Sequence, residues 1–288
     1  PRIVHRIWRF AGGATGVALI SLLLSDLDKI VVSRMLPLED FGYYSLAWRV
    51  ASPLAIVASS VFSALMPAFS RLAAARDESS LAALYHRGAQ LISALIMPAA
   101  LTVAFFGKQL LFAWTGSEAI TDKTWLIAAL LTGGTAFNCL MTVPYAVQLA
   151  FGWTSLAFWT NLICATASVP LLLVLTSHFG GGGAAAVWLI VNASNLATQA
   201  PIMYGHLLRR EPRRWYVNDI AIPLLACTLA AAVAKAVMTS PTSRMSAALS
   251  AILAGLFIGA VGLLATPLLR AQLWQILAEV RSRRTRPS

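Results

Sequence analysis

The 288 residues are 58% hydrophobic and only 11% charged, with a mean hydropathy of +0.73, a composition outside soluble globular usage that defines an integral membrane protein. A net charge of +11 and a pI near 10.3 raise the question of nucleic acid, but the basic residues sit in short loops and not on a polar domain interleaved with aromatics, so no nucleic-acid partner is expected. There is room for about eight spans at roughly 20 residues each, and none for a soluble domain beside them.

The chain starts at Pro1 with PRIVHRIWRF leading straight into an apolar run. No short apolar region with a small-residue cleavage site precedes it, so we expect a fragment lacking its N-terminal part. Apolar runs predict spans over residues 10–36, 41–70, 88–113, 123–150, 154–177, 182–206, 217–238 and 245–269. Between the second and third, RLAAARDESSLAALYHRGAQ mixes charges with Leu and Ala at helical spacing, the pattern of a helix lying in the headgroup layer. The tail RAQLWQILAEVRSRRTRPS has the same character and ends in a basic stub. The expected organisation is a six-helix bundle over 1–206, two further transmembrane helices over 207–269, and a basic tail over 270–288.

Charge placement orients these spans. Arg2, Arg6, Arg9, Arg71, Arg76, Arg87, Arg209, Arg210, Arg213, Arg214, Arg270, Arg281, Arg283, Arg284 and Arg286 fall on one side, against Lys29, Arg34, Lys108, Lys123, Lys235 and Arg244 on the other. The asymmetry places both ends in the cytoplasm. The cluster at Arg209 to Arg214 serves as an anchor and meets anionic lipid headgroups. Pro53, Pro67, Pro98, Pro144, Pro170, Pro201, Pro223 and Pro267 lie inside spans, where each removes a helix hydrogen bond and invites a kink.

Little in the chain suggests chemistry. Cys139, Cys164 and Cys227 stand alone in apolar runs, without a CxxC pair or a histidine at ligand spacing, and read as buried small hydrophobes. No metal and no cofactor are expected. The GGGG at 180–183 lacks a following Lys-Ser/Thr, so it is a turn or a tight helix start and not a phosphate loop. His5, His86, His178 and His206 fall in loops or at span ends and read as ordinary interface residues. With no HExxH and no Ser/His/Asp spacing, no enzyme is expected.

The informative stretch is DLDKIVVSRMLPLEDFGYYSLAWRV, residues 26–50. Spans one and two form a hairpin turning near Pro37 to Asp40, and Asp28 and Arg49 are equally far from that turn. Both should sit roughly 10–15 Å below its outer end, within reach of pairing. On one reading Arg49 projects into a polar cavity, where its planar guanidinium holds a phosphate or pyrophosphate bidentately and Asp28 orients it. On the other, Arg49 and Lys29 snorkel to the headgroups and the acids satisfy them. Arg49 lies about two turns inside its span while Lys29 and Arg34 are nearer water, and from position alone the two readings stand level. Asp26 is secondary, and Tyr43, Tyr44 and Trp48 suit an interfacial aromatic belt. Further along, Asn138, Gln148, Asn161, Asn192, Asn195 and Gln199 read mainly as interhelical glue, worth about 0.6 kcal/mol each. Asn161, Asn192 and Asn195 are the best substrate-contact candidates among them, the last two sharing a face at i, i+3 spacing.

Leu27-Asp28-Lys29, Phe41-Gly42-Tyr43 and Pro67-Ala68-Phe69-Ser70-Arg71-Leu72 resemble the start of the C-terminal lobe of bacterial polysaccharide flippases, of the multidrug/oligosaccharidyl-lipid/polysaccharide exporter superfamily. There an ID(K/R) ends the seventh helix, FG.Y follows a short turn and P..SRL closes the eighth. GGGGAAAVWLIVNASN resembles the family's small-residue start to its twelfth helix. The resemblance implies an all-α membrane protein whose eight helices correspond to helices seven to fourteen of a 14-helix, two-lobed flippase. It also implies a partner in the missing six-helix N-terminal lobe and a place in the bacterial inner membrane. The implied activity is flipping of an undecaprenyl-pyrophosphate-linked oligosaccharide for O-antigen or exopolysaccharide synthesis, with membrane lipids, glycosyltransferases and a polymerase as further partners. Lipid II flippases carry an arginine lining the central cavity in the matching YY...R segment of helix eight, and Arg49 occupies that place; Asp28 is carried over more weakly. The cation site of some relatives has no match here. The alternatives are a multidrug or cation antiporter of the same superfamily, a membrane polysaccharide polymerase or ligase, and a structural membrane protein.

Overall fold

The computed structural model describes residues 26–238 and 243–271, together with residues 15, 274 and 275. The described chain is built of helices: a segment over 26–35, then α1 (Leu38–Ala75), α2 (Glu78–Thr115), α3 (Glu118–Leu140), α4 (Thr142–Ala150), α5 (Ser155–His206), α6 (Pro212–Val237) and α7 (Arg244–Leu264). Six stretches among the described residues are long and apolar enough to cross a membrane, α3 and α4 counting together as Glu118–Ala150. Most of the first predicted span, over 10–36, and most of the tail over 270–288 lie outside the described residues.

At 52 residues, α5 is far longer than the roughly 20 a bilayer needs. It breaks at Gly180, with φ 58° and ψ −141°, into the two spans predicted at 154–177 and 182–206. Only glycine takes that backbone conformation without strain, and a Cβ at Gly183 would strike the Leu175 carbonyl. The glycine run is therefore a sharp joint between the two halves of α5.

Short connections are closed by local caps. The Asp77 side chain accepts from the Ser80 amide at 3.0 Å to start α2, Ser117 does the same for α3, and Ser243 and Ser246 cap each other at α7. This corrects the expected headgroup-layer helix around residues 71–90. Instead α1 runs to Ala75, Arg76 turns left-handed, and α2 begins at Glu78. The amphipathic pattern there arises because Phe69, Leu81 and Tyr85 are core residues at the ends of two long helices.

Five of the span prolines do not set breaks. Pro53, Pro67, Pro98, Pro170 and Pro201 sit within helices, yet the non-helical dihedrals in these long helices are at Phe106 and Gly180. Pro223 is different in kind. It follows a π-helical turn over Trp215–Ala221, and it has no N–H to offer the Asp219 carbonyl four residues back. Ser93 of α2 donates its hydroxyl to that carbonyl.

α2 is the most buried helix. It packs against α3 and against the α6/α7 pair, while α3 joins α1 to α5. Lipid tails offer helices no hydrophobic reason to associate, so close packing of small residues must hold them. The α2/α6/α7 seam shows this, with Ala230, Ala231, Ala234 and Ala254 around Phe106 and Ile258. A Cβ on Gly262 would lie 2.8 Å from the Cys227 sulfur and 2.9 Å from Pro98. Cys139 and Cys227 are buried free thiols and Cys164 is a half-buried one.

Candidate functional site

α1 starts at Leu38, directly after Pro37, so Arg49 lies roughly 16 Å along its axis. Tyr44 and Trp48, four residues apart, point to the segment over 26–35. There Asp28 accepts from the Trp48 indole N–H at 2.7 Å and from the Tyr44 hydroxyl. Asp28 is 3% exposed and Tyr44 fully buried.

Two expectations are corrected by this geometry. Asp28 does not pair with Arg49, because equal distance from a turn sets depth but not direction around the helix. Arg49 follows Trp48 by one residue, about 100° around a 3.6-residue helix, and faces away from Asp28. Nor is Tyr44 part of an interfacial belt; it is a core residue whose hydroxyl is needed by a buried carboxylate. Lys29 meets Asp26 at 2.6 Å and lies 5.2 Å from the centre of the Trp48 ring.

Arg49 instead borders a cavity of about 650 Å³ between α1, α2 and α7, lined also by Pro53, Pro98, Thr102, Trp114 and Gly255. Among the described residues it is the one charged side chain on that wall and has no hydrogen-bond or ion-pair partner. A guanidinium carries five donors and stays charged. Held at the edge of an apolar cavity within the membrane span, it is suited to an anionic, oxygen-rich group.

The asparagine candidates lie elsewhere. Asn192 is 2% exposed, accepts from Asn138 at 2.9 Å and donates to the Trp188 carbonyl. Trp188 donates to the Thr135 hydroxyl and meets Trp48 edge-on, with centroids 5.2 Å apart. Asp28 and Asn192 are thus joined through Trp48 and Trp188 in one seam tying the segment over 26–35 to α1, α3 and α5. Asn195 accepts from the Cys164 thiol, and Gln199 donates to Gln148. Asn161 is half-buried in the first half of α5. None of the three asparagines lines the Arg49 cavity.

A second polar cluster escaped the sequence reading. His86 is fully buried, its Nδ1 bonded to Asp219 and its Nε2 2.9 Å from Glu211. Gln90 donates to Asp219 at 2.8 Å and accepts from the Leu268 amide at 2.9 Å. This corrects His86 as an ordinary interface residue. Two signals were present in the sequence: a lone acid, Asp219, within a predicted span, and the polar stripe His86, Gln90, Ser93 at i, i+4, i+7 on α2.

The fold defines a multi-pass helical membrane protein. The structure matches that of the lipid II flippase MurJ in an inward closed conformation with a TM-score of 0.65 at 15% identity, over 85% of this chain and 51% of that one. Residues 2–118 match the family described as polysaccharide biosynthesis protein. The succinoglycan biosynthesis transport protein ExoT of Rhizobium meliloti is 27% identical over 260 residues, 88% of this chain and 50% of that protein. A Shigella flexneri protein whose name describes an O-antigen transporter is 24% identical over 188 residues, 64% of this chain and 43% of that protein. The chain is thus similar to polysaccharide biosynthesis and transport proteins, and it spans about half the length of the relatives it matches.

Proposed function

We propose that this chain forms the C-terminal half of a flippase that moves an undecaprenyl-pyrophosphate-linked oligosaccharide from the cytoplasmic to the outer leaflet of the bacterial inner membrane, with both ends of the chain in the cytoplasm. The observation that carries the proposal is Arg49, a cation without a partner among the described residues, on the wall of an apolar cavity. The ligand it suits has anionic oxygens joined to a large apolar body, which is the chemistry of a lipid pyrophosphate. Moving such a headgroup past hydrocarbon requires a cationic, alternately exposed site between two lobes. In this reading Asp28 holds the hairpin and does not orient Arg49.

An organic-cation antiporter is the second reading, and the cavity wall argues against it: among the described residues it presents an arginine and no carboxylate. The proposal is tested by surface-polysaccharide export in cells carrying the whole protein. Arg49→Ala abolishes export at normal membrane levels, and Arg49→Lys, which keeps the charge but not the bidentate fork, retains part of it. Wild-type export by Arg49→Ala removes the assignment.

A further inference from the structure

We propose that His86, Asp219 and Glu211 form a proton-binding site, separate from the Arg49 cavity, whose occupancy sets how firmly α6 is held against α2. The inference does not depend on the flipping assignment.

The argument is one of hydrogen-bond counting. Carboxylates accept and do not donate, and a neutral imidazole offers one N–H and one lone pair. Here both ring nitrogens face carboxylate oxygens, Nδ1 toward Asp219 and Nε2 toward Glu211. A neutral ring between two ionised carboxylates satisfies only one contact and sets lone pair against lone pair at the other. The observed arrangement therefore holds one proton more than that set supplies, as an imidazolium or as one protonated carboxyl. Among the described residues His86 is the only basic group paired with either acid. The other titratable groups around it are Tyr85 beside it on α2, Tyr204 from α5, whose hydroxyl lies 2.5 Å from that of Tyr85, and Tyr216 from α6. Among the described residues, the segment after α7 contributes a backbone N–H, that of Leu268, through Gln90.

Which contact opens when the proton leaves follows from the surroundings. Asp219 is fully buried and fixed by Gln90 at its side chain and by Ser93 at its carbonyl. The Glu211 side chain is 23% exposed and stands just before α6, beside Arg209, Arg210, Arg213 and Arg214. The proton passes between the site and water at Glu211, and its loss breaks the His86–Glu211 bond while His86–Asp219 remains. The start of α6, including the π-helical turn that crowds Asp219 toward α2, then loses its outer tie. The exchange is balanced by one proton bound or released, with no other reactant.

The test is hydrogen–deuterium exchange of residues 208–222 in the whole membrane protein, between about pH 5 and about pH 8, the range in which imidazole changes charge, with the intrinsic pH dependence of exchange divided out. Protection of this segment falls several-fold as the pH rises in the wild type and is independent of pH in His86→Gln. Glu211→Gln guards against a folding defect, because its amide accepts from an N–H or donates to a lone pair and keeps the contact in either state. It also removes the pH dependence, with protection near the low-pH wild-type level. Constant corrected protection in the wild type overturns the proposal, as does an equal pH response in Glu211→Gln.

Discussion

Removing the Asp28 carboxylate separates a structural from a transport role for the charged hairpin. Two donors end on one oxygen of this residue: the hydroxyl of fully buried Tyr44 and the indole N–H of Trp48. Asp28→Ala leaves both without an acceptor, at about 1–3 kcal/mol for each buried donor left unsatisfied. Part of this is recovered if the Tyr44 hydroxyl rotates, so a total of about 2–4 kcal/mol is expected. Asp28→Asn keeps an acceptor oxygen and brings an amide donor to the side where the second carboxylate oxygen, buried and without a hydrogen bond among the described residues, now sits. It should cost less than half as much. The assay is thermal unfolding of the detergent-solubilised protein, with tryptophan fluorescence reporting on Trp48. If Asp28→Ala unfolds like the wild type, the carboxylate does not hold the hairpin. If Asp28→Asn is as damaging as Asp28→Ala, charge and not hydrogen-bond acceptance is what matters.

Further predictions concern how the helices are held. A Cβ at Gly134 would lie 3.0 Å from the Leu189 backbone and nearer still to the Trp188 ring, so Gly134→Ala forces α3 from α5 and costs about 1–3 kcal/mol. Gly259→Ala meets nothing within 4 Å and gains up to about 1 kcal/mol in helix propensity; thermal unfolding that ranks the two the other way contradicts the α3/α5 contact. The Arg244 guanidinium donates to the Ala113 and Trp114 carbonyls at the end of α2, so Arg244→Met should lower stability by about 1 kcal/mol without altering membrane insertion. Asn192→Ala should reduce stability with export retained, and a double-mutant cycle with Asn138→Ala should give a coupling of about 0.6 kcal/mol; lost export at unchanged stability would instead make Asn192 a substrate contact.

The membrane fold was legible because its signal is collective. Every apolar run over described residues lies in a helix, and even the joint inside α5 was marked by the glycines at 180–183. What the sequence did not carry was direction around a helix axis. Depth along the hairpin follows from counting residues, which is why Asp28 and Arg49 looked like partners. One residue of rotation separates Trp48, which takes Asp28, from Arg49, which takes the cavity. The His86 cluster was hidden for another reason. Its two halves, His86 to Ser93 and Glu211 to Asp219, lie more than a hundred residues apart, and His86 looks like a span-end residue until the length of α2 places it eight residues inside a helix. Only the polar stripe on α2 and the isolated Asp219 pointed to it.

Translocation by the purified whole protein in liposomes, with a fluorescent undecaprenyl-pyrophosphate-linked oligosaccharide and an impermeant quencher to report leaflet position, tests the central claim most directly. The account predicts leaflet exchange by the wild type and little by Arg49→Ala at equal reconstitution. Exchange that is independent of Arg49 would contradict the headgroup assignment, and transport of organic cations with no movement of the lipid-linked sugar would contradict the flippase itself.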